Sequence, residues 1–222
     1  MTTRLVIFDC DGTLVDSQHD IVAAMQHAFA CVDLPAPTRA QTLSIVGLSV
    51  PEAIAVLAPE KSEAVRKAII REFRSGTPHQ QSPGGRVHVL YPGALEAVTA
   101  LAARDDIVLG IATGKSHRGV HRLFDHYDWH RHFATIQTAD NNPSKPHPGM
   151  IESAMAATGI GAARTIMIGD TSFDMAMARA ANVTALGVSW GYHPVGGITR
   201  AGAHAIADTF DQLLALIDKP CA

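Results

Sequence analysis

The sequence predicts an α/β fold: a doubly wound, Rossmann-like parallel sheet carrying an inserted α-helical unit. Three observations lead there. Short apolar, β-branched runs recur at Leu5–Phe8, Ile107–Ala112, Thr165–Gly169 and Val183–Val188. Their near-continuous apolarity suits strands covered on both faces. Helix-period segments fall between them, and strand–helix alternation of this kind builds parallel sheets. Residues 17–75, by contrast, hold no good strand.

In chain order, Leu5–Phe8 is the first strand. Ile21, Met25, Ala28, Phe29 and Val32 then mark one face of a helix. Ser17 with Asp20 three residues on reads as its capping signal, and Pro35 and Pro37 end it. Further helices are expected at 39–46, 51–58 and 61–74. The stretch 76–92, GTPHQQSPGGRVHVLYP, reads as a return linker. Helices at 93–103, 116–127, 148–158, 172–181 and 209–218 follow, with weaker strands at Phe133–Ile136 and Ala205–Ala207. The expected division is a core of 1–16 and 91–222 and a helical unit of 17–90.

Bulk properties narrow the function. The chain has 222 residues, 47% hydrophobic and 18% charged, enough for a sizeable core. A net charge of −3 argues against nucleic acid as partner. Cys10, Cys31 and Cys221 form no CxxC pair, which disfavours a disulfide framework or structural zinc. No segment approaches the ~18 apolar residues of a membrane span, and the N-terminal apolar run is too short for a signal peptide. A cytoplasmic protein is expected, with monomer and homodimer equally open.

Polar clusters follow the ends of predicted strands, the edge where open α/β sheets bind ligands. In Phe8-Asp9-Cys10-Asp11-Gly12-Thr13, the two aspartates are two apart, so an extended backbone points both the same way. Such carboxylates either repel or share a cation; the plainer alternative is an Asx-type turn. Cys10 between them should face the core. In Thr113-Gly114-Lys115-Ser116, a hydroxyl and a glycine N–H precede a helix, forming an anion site or a simple cap. Lys115 reads as solvated. In Ser144-Lys145-Pro146-His147-Pro148, flanking prolines stiffen the backbone around Lys145, although this motif alone reads first as an exposed loop lysine. In Gly169-Asp170-Thr171-Ser172-Phe173-Asp174, Asp170 and Asp174 can share one locus, or Asp174 can serve the helix start.

GIATGKS at 110–116 ends like a Walker loop, but Gly110 and Gly114 are four apart where that pattern needs five. The ATPase reading fails. Twelve histidines include His117, His121, His126, His130 and His132, yet HRGVH lacks a zincin glutamate and reads as a surface cluster. Gly47 reads as a helix terminator, close approach to a ligand being the other option. Arg39, Arg66, Lys67, Arg71 and Arg74 read as a solvated face. Trp129 reads as core or rim.

The ordered set Asp-x-Asp-Gly-Thr, Thr-Gly, Lys-Pro and Gly-Asp-x-x-x-Asp resembles the haloacid dehalogenase-like (HAD) phosphohydrolases. FDCDGTLVDS, YPGALEAV, IATGKS, SKPHP, IGDTSFDMAMARAA and GVSWGY resemble the phosphoglycolate phosphatase branch. The resemblance implies a phosphatase for a small-molecule phosphate monoester. Asp9 would be nucleophile, forming an aspartyl-phosphate, and Asp11 the general acid and base. The Asp9 carboxylate, the Asp11 carbonyl and Asp170 would hold Mg²⁺, with Asp174 binding directly or through water. Thr113, Gly114 and Lys145 would bind the phosphoryl group. The helical unit at 17–90 would be a cap, hinged at 15–18 and 79–91. A sugar-phosphate phosphoryl mutase or a pyrophosphatase would use the same core. Dehalogenation is disfavoured by Asp11, and a signalling receiver by the insert and the first-strand acids. An idle binding module is disfavoured because no core acid is missing. The substrate is left open among phosphoglycolate, pyrophosphate, nucleotides and sugar phosphates.

Overall fold

The structure is a computed structural model describing residues 3–76 and 89–219. Its six-stranded sheet consists of β1 (Arg4–Phe8), β4 (Ile107–Thr113), β5 (Phe133–Thr138), β6 (Thr165–Gly169), β7 (Thr184–Val188) and β8 (Ala205–Ala207). The spatial order is β5-β4-β1-β6-β7-β8, and every pairing is parallel. The order reverses at β1. A crevice opens there because the loops after β1 and its neighbours leave in opposite directions.

Period-two alternation assigns the faces. Val6 and Phe8 point into a cluster with Leu109, Ile111, Phe124, Trp129 and Leu213. Leu5 and Ile7 point into the opposite one with Met150, Met167, Met175 and Ile198. The first face is covered by α5 (Ala94–Ala102), α6 (His117–Tyr127) and α10 (Phe210–Ile217), the second by α7 (Gly149–Thr158), α8 (Ser172–Ala180) and α9 (Val195–Arg200). Burial on both sides explains why the strands read as continuous apolar runs. Trp129 is fully buried, which settles its core reading.

Residues 17–76 form α1 (Gln18–Ala30), α2 (Arg39–Leu43), α3 (Val50–Leu57) and α4 (Glu63–Ser75) around their own apolar cluster of Met25, Phe29, Ile45, Ile54 and Ile69. Strand β2 (Val15–Asp16) pairs antiparallel with β3 (Val89–Leu90), a ribbon the sequence reading lacked. Two residues per strand are too few to show a period. The expected linker and hinge residues 77–88 lie outside the described residues; α9 was also not expected.

Local expectations needed correction in two places. Ser17 does not cap α1 with its side chain; its hydroxyl is used elsewhere, as described below. The helix expected at 39–46 ends at Leu43, capped by Ser44, so Gly47 terminates nothing. Gly47 has φ +102° and lies in the loop 46–48, which approaches the core. A Cβ on Gly114 would come within 2.6 Å of the Leu48 carbonyl and 2.9 Å of the Gly47 carbonyl. Glycine at 114 is what lets these backbones touch.

Candidate active site

Four loops meet at the carboxyl ends of β1, β4 and β6. Asp9 leaves β1 with 1% of its surface exposed. Its Oδ1 accepts from the Cys10 N–H at 2.7 Å, and its Oδ2 lies 3.0 Å from Lys145 Nζ. Lys145 Nζ also donates to Asp174 Oδ1 at 2.6 Å. Asp9, Asp170 and Asp174 each present a carboxylate oxygen, all within 4.8 Å of one another, and all three are buried. The sequence-predicted groups Asp9, Lys145, Asp170 and Asp174 therefore converge.

Each carboxylate is oriented. Asp170 Oδ1 accepts from Thr13 Oγ1 at 2.9 Å, and Oδ2 from the Tyr192 N–H at 2.8 Å. Asp174 Oδ2 accepts from the Thr171 N–H at 3.0 Å and from its hydroxyl at 2.7 Å. Thr171 caps α8 in return. The two readings of Asp174 are thus both true: one oxygen serves the helix start, the other faces Lys145. Gly12, at φ +85°, makes room for Asp170, since a Cβ there would lie 2.2 Å from Asp170 Oδ2. We expect Gly12→Ala to destabilise the fold by roughly 1–3 kcal/mol through the left-handed backbone alone. Displacement of Asp170 should also remove activity; urea melts and a phosphate-release assay check both.

Asp11 is held differently. Its Oδ1 accepts from Ser17 Oγ at 2.7 Å and from Lys115 Nζ at 2.7 Å. Ser17 in turn donates its N–H to the Tyr192 hydroxyl at 2.9 Å. This corrects the solvated reading of Lys115, whose side chain is only 12% exposed. Ser17, Thr13, Lys115 and Tyr192 are the residues the sequence reading missed. All four stand inside motifs quoted above, but their partners are distant in the chain. Thr113 is buried beside Asp9, and its hydroxyl accepts from the Lys115 N–H at 3.2 Å. Gly114 follows it at the mouth of the same crevice.

The electrostatics follow from burial. Removal from water, reinforced by Asp174 and opposed by Lys145, raises Asp9 from 3.8 to about 6. Burial, with Asp174 and Asp9 adding repulsion, pushes Asp170 well above the carboxylate range. Burial disfavours the Lys145 charge, but Asp174 and Asp9 outweigh it and raise that group. Cys10 faces the core as expected, and burial with the neighbouring carboxylates keeps its thiol protonated.

One ammonium cannot balance this cluster. Three buried carboxylates around one lysine, with all oxygens close, fit a hard divalent cation with oxygen ligands. The pH dependence has a definite sign. The folded chain keeps a proton on Asp9 up to about pH 6, whereas the unfolded chain loses it near 3.8. Stability of the metal-free protein should therefore fall as pH rises through that window. Saturating Mg²⁺ should restore it, by roughly 2.7 kcal/mol at a hundredfold excess over Kd. Thermal melts at pH 5 and pH 7, with and without Mg²⁺, should show a larger metal effect at pH 7.

The family model for haloacid dehalogenase-like hydrolases matches residues 6–188. The chain belongs to that family. Among curated relatives, "Probable phosphatase IndB" of Dickeya dadantii is 35% identical, over 95% of this chain and 91% of its own length. The phosphoglycolate phosphatase of Agrobacterium fabrum is 31% identical, over 88% of this chain and 86% of its own. A haloacid dehalogenase-like family hydrolase from Streptococcus pneumoniae superposes with a TM-score of 0.83 at 24% identity, covering 97% of this chain and 99% of the other. A hydrolase from Pseudomonas syringae gives 0.85 at 24% identity, with 98% of each chain covered. These structures share the fold of this haloacid dehalogenase-like hydrolase. No helix among the described residues is long and apolar enough to cross a membrane.

Proposed function

We propose that this haloacid dehalogenase-like hydrolase is a Mg²⁺-dependent phosphatase acting on a small-molecule phosphate monoester through an aspartyl-phosphate. The observation that carries this reading is the Lys145 ammonium lying between Asp9 and Asp174, with Asp170 alongside, at the reversal point of the sheet. The phosphatase names of the two relatives agree with it.

In this reading Asp9 attacks phosphorus: a P–O bond to its carboxylate forms as the bond to the leaving oxygen breaks. With a value of about 6, Asp9 is ionised at pH 7 and needs no base. Asp11 gives a proton to the leaving oxygen, then takes one from the water that attacks phosphorus and frees Asp9. At rest Asp11 is paired with Lys115, and an incoming phosphate dianion would compete for that ammonium. Lys145, the Thr113 hydroxyl and the Gly114 N–H would hold phosphoryl oxygens. The Asp9 and Asp170 carboxylates and the Asp11 carbonyl would hold Mg²⁺, with Asp174 assisting. The metal would supply charge neutralisation on the transferring group.

Residues 17–90 would act as a lid on a core of 1–16 and 91–222. Support comes from their separate apolar cluster and from contacts of the 46–49 loop with the core. Ser49 N–H donates to Ser144 Oγ at 2.7 Å, next to Lys145. Closure of such a lid excludes water from the reacting group. The test is phosphate release from a metabolite panel with Mg²⁺ and after exhaustive chelation. Release that depends on the metal supports the reading; release unaffected by chelation removes the metal, and no release from any ester removes the phosphatase.

A further inference from the structure

The proposed phosphoryl site opens into a cavity of about 1440 Å³ between the core and α1–α4. Ligand pockets ordinarily measure ~300–1,000 Å³, so the smallest phosphate esters would fill only a fraction of this one. Its walls differ in character. Ile21, Met25 and Phe73 make the helical side apolar, whereas the α6 side presents Lys115, Arg118 and Arg122.

These three residues form a basic ladder. Arg118 and Arg122, four apart, share one stripe of α6. Lys115 stands just before the helix, packs along Gly119 and touches Asp11, and the two arginines follow it outward, about 6 Å apart along the axis at 1.5 Å per residue. Lys115 has its carboxylate; Arg118 and Arg122 are exposed, and among the described residues no ion pair involves either. Arg118 stands in the first turn of α6, which contains no acid. Positive charge at a helix start opposes the macrodipole, and like charges four apart repel. The arrangement therefore lowers the helix's own stability while lining the cavity. Asp20 and Glu52 face the same space from α1 and α3, and Arg74 from the end of α4, so the α6 side carries the concentrated positive charge.

We propose that Arg118 and Arg122 form a second anion subsite. The substrate class is then a phosphate monoester with an apolar body and a second anionic group, a carboxylate or phosphate, about 5–10 Å from the scissile phosphorus. This rests on the phosphatase reading above.

The test compares 5-carboxypentyl phosphate, hexyl phosphate, which lacks the second anionic group, and phosphoglycolate as substrates of the full chain with Mg²⁺. The carboxylated six-carbon ester is expected to exceed hexyl phosphate in kcat/KM by about tenfold or more, as charge-assisted contacts allow. In R118Q/R122Q that ratio should fall to near one, with thermal melts showing a folded protein. Added salt should reduce the wild-type ratio. A wild-type ratio near one, a ratio unchanged in the variant, or a preference for phosphoglycolate over the longer ester would each overturn the subsite. Hydrolysis of none of the three would overturn the phosphatase reading itself, and the subsite with it.

Discussion

Asp9→Asn should reduce phosphate-ester turnover by about 10⁴-fold or more while the protein stays folded. In the proposed mechanism this carboxylate attacks phosphorus, while Asp170 and Asp174 are held by Thr13, Tyr192 and Thr171 for the metal side of the site. An amide keeps the shape and can still accept from the Cys10 N–H, but it cannot form the acyl-phosphate. It also deletes one of the crowded buried charges, so the melting temperature should hold or rise. Phosphate release and calorimetry on the same preparation separate the outcomes. Near-wild-type turnover would end the nucleophile assignment; loss of turnover with loss of fold would move Asp9 to a structural role.

Lys145→Met should have the largest effect on stability. Lys145 is 1% exposed, and its ammonium is the charge partner of both Asp9 and Asp174. Methionine fills similar volume but leaves the carboxylates without a cation. Removing one side of a buried ionic cluster costs about 3–5 kcal/mol. The remaining acids should respond by keeping their protons, so the loss should be small at low pH and grow as pH rises toward 7. Mg²⁺ should recover part of it. Urea unfolding between pH 4.5 and pH 7.5 measures this. A loss that does not change with pH would mean that Lys145 acts by packing rather than by charge. In the proposed mechanism turnover should fall by about 10³-fold or more, since the contact Lys145 would make to the phosphoryl oxygens goes too.

The groups that converge were largely readable in advance, because each sits at a strand end within a short motif. Asp9 stands just past β1, and the turn from β6 into α8 brings Asp174 back to Asp170, whereas Asp11 pairs with Ser17 and Lys115. The misreadings share a cause. Lys115 looked solvated because its partner Asp11 is 104 positions away. Ser17 looked like a cap because Asp20 is near in sequence, yet its hydroxyl binds Asp11 and its N–H binds Tyr192, 175 positions distant. Gly47 looked like a helix end because a local rule exists for that, whereas the contact it makes is with Gly114. Arg74, read as solvated, is exposed, and it also borders the cavity.

By itself the sequence determined the sheet, most of the helices that cover it, and which acids and which lysine stand at the strand ends, since apolar period, turn chemistry and motif spacing are local properties. Only the tertiary structure decided how the charges pair and what the cavity walls offer. The physical reason is that ion pairing and close backbone approach depend on distances of a few ångströms between loops remote in the chain, and no local pattern encodes those.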